Sequence, residues 1–319
     1  MATRDLTGAQ KKSLTLRTSR TGLLLGFSLL GLALPLGCSL WRDEANFLVW
    51  VLDLASHWQW AYSVAALVSL LALGRQRPRR LWLLPSALLP LLTASATPPK
   101  STHSTQIFTI VSANLDFHNA DPAPLLAWLS QARPDVVVLV ELSPGFAAAL
   151  ANYADYPYRK LIPQADPFGI GVLSRLPISD TAIQTDDVGT PRLRLHLTWE
   201  SMLLQLIAVH PMPPLSPEYQ VKRNDLLAGI ASEIDPIPIP TLVCGDLNAT
   251  PWSSAFSGRP NTLVRATGLR PTWPAVGRGI FGIPIDHILV SRQWHLVNNE
   301  VGPDIGSDHY PVVARLTLE

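Results

Sequence analysis

Eight polar residues in this chain stand where an apolar, β-type run stops or starts: Asn114, Glu141, His210, Asp246, Asn248, Asp286, Asp308 and His309. The clearest case is Thr241-Leu-Val-Cys-Gly-Asp-Leu-Asn-Ala-Thr-Pro251. Its first four residues read as a buried strand, which ends at Gly245. On an extended backbone, residues i and i+2 point the same way. Asp246 and Asn248 are therefore expected to leave the strand end side by side, one carboxylate and one amide. Asp, Asn and Gly also favour turns, so this stretch alone reads equally as an Asx-rich turn. Eight such placements in one chain are harder to assign to turn chemistry, and they ask for a fold whose strand ends meet.

The remaining pattern is compatible with such a fold. Ile107 to Ala113, Val136 to Val140, Gly169 to Ser174, Arg192 to Trp199, Met202 to Val209, Ile283 to Val290 and Val312 to Leu318 read as strands. Asp121-Pro122 looks like the start of a helix that buries Leu125, Leu126, Trp128 and Leu129, and Glu218 to Ile234 looks like a second helix. Many strands at irregular spacing with few helices indicate an α+β class, packed sheets with outer helices. If the strand ends converge, they form an acidic pocket with two histidines. Such hard oxygen donors suit Mg²⁺ or Mn²⁺, and the lack of a Cys/His cluster argues against zinc. The two cysteines, Cys38 and Cys244, lie in unrelated segments, and no disulfide framework is expected.

The first hundred residues differ in kind. They carry 11 Lys and Arg against 4 Asp and Glu, whereas residues 101–319 carry 14 against 20. An acidic globular part lacks the basic excess that long duplex nucleic acid usually requires. Thr21 to Leu40 is an uncharged run of bilayer-spanning length. Trp60 to Gly74 reads as a second span and Leu81 to Thr97, with Pro85 and Pro90, as a third. Phe47 to Trp58 reads as an interfacial or re-entrant piece. This gives a cytoplasmic N-terminus over 1–20, a transmembrane region over 21–97 with helices near 21–40, 59–74 and 81–97, a linker over 98–105 and a globular domain over 106–319. Arginines 75, 77, 79 and 80 mark a cytoplasmic loop by the positive-inside rule. The protein is thus expected in the cell inner membrane as a multi-pass protein in contact with membrane lipids. Three spans put the domain on the outer, periplasmic face; two spans keep it cytoplasmic. A cleaved signal or lipoprotein leader using Leu36-Gly37-Cys38 is the alternative, and Pro35 suits it poorly.

Five blocks occur in an order that resembles the endonuclease/exonuclease/phosphatase family, the DNase I-like fold: Ser112-Ala-Asn114, Glu141, Gly245-Asp246-Leu-Asn248, Ile285-Asp286-His-Ile-Leu and Ser307-Asp308-His309-Tyr-Pro311. The resemblance covers roughly residues 105–319, and the N-terminal spans look like the family's membrane-attached bacterial branch. It implies a four-layer α/β-sandwich with the site at one end of two sheets. It further implies Glu141 as the main metal ligand, helped by Asn114, Asp308 and, less directly, Asp116. His309 would contact the scissile phosphate, oriented by Asp286. Asp246 would activate the attacking water and Asn248 would hydrogen-bond a phosphoryl oxygen. His210 matches a second phosphate-contacting histidine.

The implied activity is Mg²⁺-dependent hydrolysis of a phosphodiester, nuclease-type by resemblance, on nucleic acid or a lipid headgroup. A phospholipid, sphingomyelin or inositol-phosphate substrate is the alternative, and a catalytically silent membrane scaffold a third reading. No feature of the chain calls for an obligate protein partner.

Overall fold

The computed structural model describes residues 8–75, 78–101, 106–186, 189–234, 239–257 and 262–318. Its centre is a pair of six-stranded sheets. In the first, β1 (Phe108–Asn114), β2 (Val136–Val140), β3 (Tyr158–Ile162) and β4 (Ile170–Ser174) join β11 (Trp294–Val301) and β12 (Val312–Leu318) in the order β11-β12-β1-β2-β4-β3. The second contains β5 (Ile178–Thr185), β6 (Pro191–Trp199), β7 (Met202–Val209), β8 (Thr241–Asp246), β9 (Leu263–Arg265) and β10 (Asp286–Ser291), ordered β5-β6-β7-β8-β10-β9.

The alternation of side chains builds the layers. Along β1, Phe108 and Ile110 enter the core between the sheets, while Val111 and Ala113 face outward. Along β2, Val136, Val138 and Val140 face inward and Val137 and Leu139 outward. The outward set is covered by Leu125 and Leu129 of α5 (Ala123–Ala132) and Phe146 and Leu150 of α6 (Pro144–Leu150). The second sheet is covered by Leu227, Ile230 and Ile234 of α7 (Pro217–Ile234). Helix, sheet, sheet, helix is the four-layer sandwich expected.

Strand direction decides where the polar residues go. β1 and β2 pair in parallel, as do β7 and β8, whereas β12 and β10 run against them. The C-terminal ends of the four parallel strands therefore share one edge with the start of β10 and the turn before β12. In the second sheet Asp286 lies directly opposite Asp246. On the other side of β8, Gly245 allows the end of β7 to come close. Its φ is +152°, and a Cβ there would stand 1.8 Å from the Val209 carbonyl oxygen.

The N-terminal region folds against the domain. It comprises α1 (Gly8–Gly37), α2 (Phe47–Ser56), α3 (Gln59–Gly74), a 3-10 helix over Pro78–Leu88 and α4 (Leu89–Thr93). Among the described residues, one helix is long and apolar enough to cross a membrane, Ser19–Leu40. α3 has 16 residues. The stretch expected as a third spanning helix, Leu81 to Thr97, is not one continuous helix. Pro85 and Pro90 lack the N–H that an α-helix needs there, and the chain takes a 3-10 path before α4. The described part of the 98–105 segment is anchored: Leu296 N–H donates to the Pro99 carbonyl and Ser101 N–H to the Leu296 carbonyl. Residues 102–105 lie outside the described residues, as do 1–7 of the N-terminal segment and Arg77 of the arginine loop. Both cysteines are free and buried.

Replacing Gly245 with alanine is expected to destabilise the domain by at least roughly 2 kcal/mol, because a backbone oxygen blocks the new methyl group. Thermal denaturation of the detergent-solubilised protein measures this, and an unchanged melting temperature would refute the close approach.

Candidate active site

Seven of the expected residues meet at the shared edge through direct contacts. Asn114 ends β1, and its Nδ2 donates to Glu141 Oε1 at 2.8 Å and lies 3.3 Å from Asp246 Oδ2. This amide joins the two sheets. Its own Oδ1 accepts the Asp116 N–H at 2.9 Å. Glu141, one residue past β2, takes the Phe117 N–H on Oε2 at 2.9 Å. Asp116 is turned toward His118, whose N–H and Nδ1 lie 3.0 and 3.3 Å from its Oδ1.

The second sheet supplies a denser group. Asp246 is buried, with Oδ2 3.7 Å from both His210 Nε2 and His309 Nε2. His210 Nδ1 lies 3.2 Å from the Pro167 carbonyl. A carbonyl only accepts, so Nδ1 carries hydrogen and Nε2 faces Asp246. His309 Nδ1 lies 2.9 Å from Asp286 Oδ2, a tight pair with both partners buried. Asp308 points more to solvent; Trp273 Nε1 donates to its Oδ2 at 2.9 Å.

Asn248 departs from the side-by-side arrangement. The strand stops at Asp246, whose Oδ1 accepts the Asn248 N–H at 2.8 Å, and Asn248 turns to φ +49°. Its side chain donates to the Pro211 carbonyl at 3.0 Å. The Asx turn wins locally because the Asp246 carboxylate satisfies a backbone donor that no strand neighbour reaches. Asp116 and Glu141 also have positive φ, at +56° and +58°. Asp and Asn tolerate this region; glutamate does so at a cost of about 1 kcal/mol. Strain of this kind concentrates at functional sites.

Burial raises the Asp246 carboxyl to about 6, the neighbouring Asp286 charge adds to this, and the two histidines and the Asn248 N–H oppose it. Burial alone would depress His309, but the charge and hydrogen bond of Asp286, with Asp246 and Asp308, raise it to about 10. His309 is therefore an imidazolium at neutral pH. With hydrogen on both nitrogens, its Nε2 can donate to Asp246 but cannot accept from Asn114 Nδ2 at 3.4 Å. Asp246, Asp286 and His309 hold atoms within 4.8 Å of one another.

The donor set does fit a hard cation. Among the described residues, the only ion-pair partners of Asp116, Asp246, Asp286 and Asp308 are histidines, and Glu141 has none. Asp286 Oδ1 is buried without a hydrogen-bond partner. The excess of carboxylate oxygens calls for positive charge.

The sequence profile of the Endonuclease/Exonuclease/phosphatase family matches residues 111–309. The chain belongs to this family. Its members are hydrolases of phosphoester bonds and generally use divalent metal ions. A search of curated proteins returns no match. Three solved structures show the same fold. TDP2 of D. rerio, complexed with single strand DNA product, is 19% identical with a TM-score of 0.56, covering 66% of this chain and 99% of that one. An endonuclease/exonuclease/phosphatase from Bacteroides vulgatus is 16% identical with a TM-score of 0.57, covering 67% and 100%. The human Nocturnin catalytic domain, with bound sulfate anion, is 16% identical with a TM-score of 0.53, covering 67% and 94%.

Two contributors escaped the sequence reading. Thr272 Oγ1 accepts the Ile285 and Asp286 N–H groups at 3.1 and 3.3 Å, and Trp273 holds Asp308. Both lie on a loop with no strand signal.

Two outcomes are expected. Glu141→Asn keeps or raises the melting temperature, since Asn accepts positive φ, while phosphodiester turnover falls by roughly 100-fold or more; a large stability loss would contradict the strain. In EDTA, the His309–Asp286 pair contributes stability that is full below about pH 6.5 and is lost as pH rises through about 10. Asp286→Asn flattens that dependence, and the His309 ring resonance followed by NMR then titrates at lower pH.

Proposed function

We propose that this chain is a membrane-anchored, divalent-metal-dependent phosphodiesterase that hydrolyses its substrate by in-line attack of an activated water. The observation that supports it most is the buried carboxylate–histidine group: Asp246, with a carboxyl raised to about 6, beside an Asp286-paired His309 imidazolium. Asp246 accepts the proton of the water, and its raised pKa suits a base near neutrality. His309 donates from Nε2 to the phosphoryl oxygens as charge builds on them, and Asp286 keeps that ring charged and aligned. Asn248, through its amide, and His210 would contact the phosphoryl group beside it. Glu141, with Asn114 and Asp308, would hold a Mg²⁺ or Mn²⁺ ion, and Asp116 would assist. The ion supplies charge neutralisation of the phosphodiester.

Membrane attachment rests on the path of the N-terminal region. Cys38, Trp60 and Pro90 all contact the domain, through Trp252 and Leu269. Gly22 and Arg80 meet at the far end. The chain thus runs between these ends three times. The 3-10 segment of 11 residues and α4 of 5 together reach roughly 30 Å, close to the hydrocarbon thickness of a bilayer. Phe27, Leu30, Val68, Leu71 and Trp82 are exposed on its outside, as lipid contact would require. By the positive-inside rule the catalytic domain then lies on the periplasmic face.

A nuclease-type substrate follows the family and the D. rerio structure that holds a DNA product. A second reading, a lipid headgroup phosphodiester, is favoured by a separate feature. Val276, Ile280 and Phe281 are exposed on the loop that follows Trp273. Arg270, Arg278 and Ile280 line a cleft of about 460 Å³ with Trp60 of α3, and the two arginines line another of about 390 Å³ with Tyr310, next to His309.

The purified protein is expected to hydrolyse bis-p-nitrophenyl phosphate with Mg²⁺ and not with EDTA. Asp246→Asn and His309→Ala each lower turnover by roughly 100- to 1000-fold without unfolding the domain. Near wild-type turnover in both would sink the assignment. Parallel assays on plasmid DNA and on sphingomyelin vesicles separate the two substrate readings. A periplasmic reporter fused after Glu319 tests the side of the membrane.

A further inference from the structure

The N-terminal region meets the catalytic turn through a buried ion pair. Asp53 lies on α2 and Arg223 on α7, both with fully buried side chains, and Arg223 Nη2 donates to Asp53 Oδ2 at 2.9 Å. Asp53 Oδ1 accepts the Ser254 N–H at 2.7 Å. Arg223 Nη1 donates to the carbonyl of Asn248 at 2.7 Å. Its Nε and Nη2 both reach Asn224 Oδ1, at 3.2 and 3.1 Å. Asn224 in turn donates to the Arg42 carbonyl and to Ser254 Oγ. Every polar contact around Arg223 thus leads either to the N-terminal region or to the segment that follows Asp246.

We propose that Asp53 and Arg223 are positioning residues for the reaction: Asp53 aims the Arg223 guanidinium at the Asn248 carbonyl and so fixes the turn that carries Asp246 and Asn248.

The turn needs such a hold. Asn248 stands at positive φ, and three bonds define its peptide planes: its N–H to Asp246 Oδ1, its side chain to the Pro211 carbonyl and its carbonyl from Arg223. The first two come from the edge of the site itself. The third comes from outside it and depends on Asp53. A buried ion pair seldom stabilises more than apolar residues of similar size. What this pair supplies is direction, because the planar guanidinium donates to Asp53, Asn224 and Asn248 in fixed relation. Burial opposes the charge on Asp53, but His57, Arg223 and the Ser254 N–H outweigh it and hold the carboxyl below its ordinary range. His57 Nε2 is 3.8 Å from Asp53 Oδ2, and the Cys38 thiol also lies within reach of the Asp53 charge. On this inference the N-terminal region is a component of the catalytic unit rather than a removable tether. It rests on the proposed roles of Asp246 and Asn248.

The test uses the full chain in detergent with bis-p-nitrophenyl phosphate. Asp53→Asn and Arg223→Lys are compared with Leu125→Ala, a fully buried core change behind the first sheet. Asp53→Asn and Arg223→Lys are expected to lower kcat on the order of 10- to 100-fold with KM within about twofold. Amide hydrogen exchange over residues 246–250 accelerates in both. Leu125→Ala lowers the melting temperature at least as much and leaves kcat and that exchange unchanged. Turnover loss no greater than in Leu125→Ala, or unchanged exchange at 246–250 in whichever variant folds, overturns the positioning role. A wild type without turnover on any phosphodiester overturns the proposed function instead, and the exchange data still decide the positioning.

Discussion

Two apolar sheets facing each other set the terms for everything else in this protein. Each strand of the central pairs has one face for the partner sheet and one for a covering helix, so neither face of Val136–Val140 or Phe108–Asn114 carries a charge. Charged groups are excluded from β1, β2 and β7 and collect where these central strands end. Because β1, β2, β7 and β8 point the same way, those ends share one edge, and the antiparallel β10 and β12 bring Asp286 and His309 back to it. The site is the edge that the core leaves for charge.

That edge is crowded with acid. Buried carboxylates at Asp246 and Asp286 repel each other, and the protein answers in two ways. Asp246 is held closer to neutral, and His309 is held charged between them. The outcome is a carboxylate and a charged imidazole 3.7 Å apart at a buried site, the polarity that the proposed attack of water on a phosphodiester would use. On the proposed function, the oxygen-rich flank at Glu141 and Asp308 would take the positive charge of a metal.

The N-terminal region is tied to this edge by the Asp53–Arg223 pair, by Trp50 donating to the Pro214 carbonyl and by Trp60 donating to the Leu269 carbonyl. Ser95 N–H donates to Pro251 and Arg265 N–H to Ala96, on segments that flank the same site. The acidic domain and the apolar region therefore share an interface made of specific polar bonds, not only of apolar contact.

Eight of the twelve described strands, the helices α5 and α7 and the gathering of polar residues at strand ends were legible in the sequence because they rest on local rules, whereas β3, β5, β9, β11 and α6 were not expected from it. A run such as Val136–Val140 reads as a doubly covered strand, and Gly-Asp-Leu-Asn at the end of β8 or Ser-Asp-His before β12 is a strong local signal. Tertiary structure alone decided the rest. The Asx turn that sends Asn248 to Pro211, the 3-10 path through Pro85, the Thr272 and Trp273 braces and the Asp53–Arg223 pair join residues far apart in sequence. In the sequence Asp53 is a single charge within an apolar run, and Arg223 is one of several charges on a helix. Their pairing depends on the mutual orientation of elements separated by 170 positions, and no periodicity or motif encodes that. Residue pattern fixes which groups must leave the core; packing fixes which of them meet.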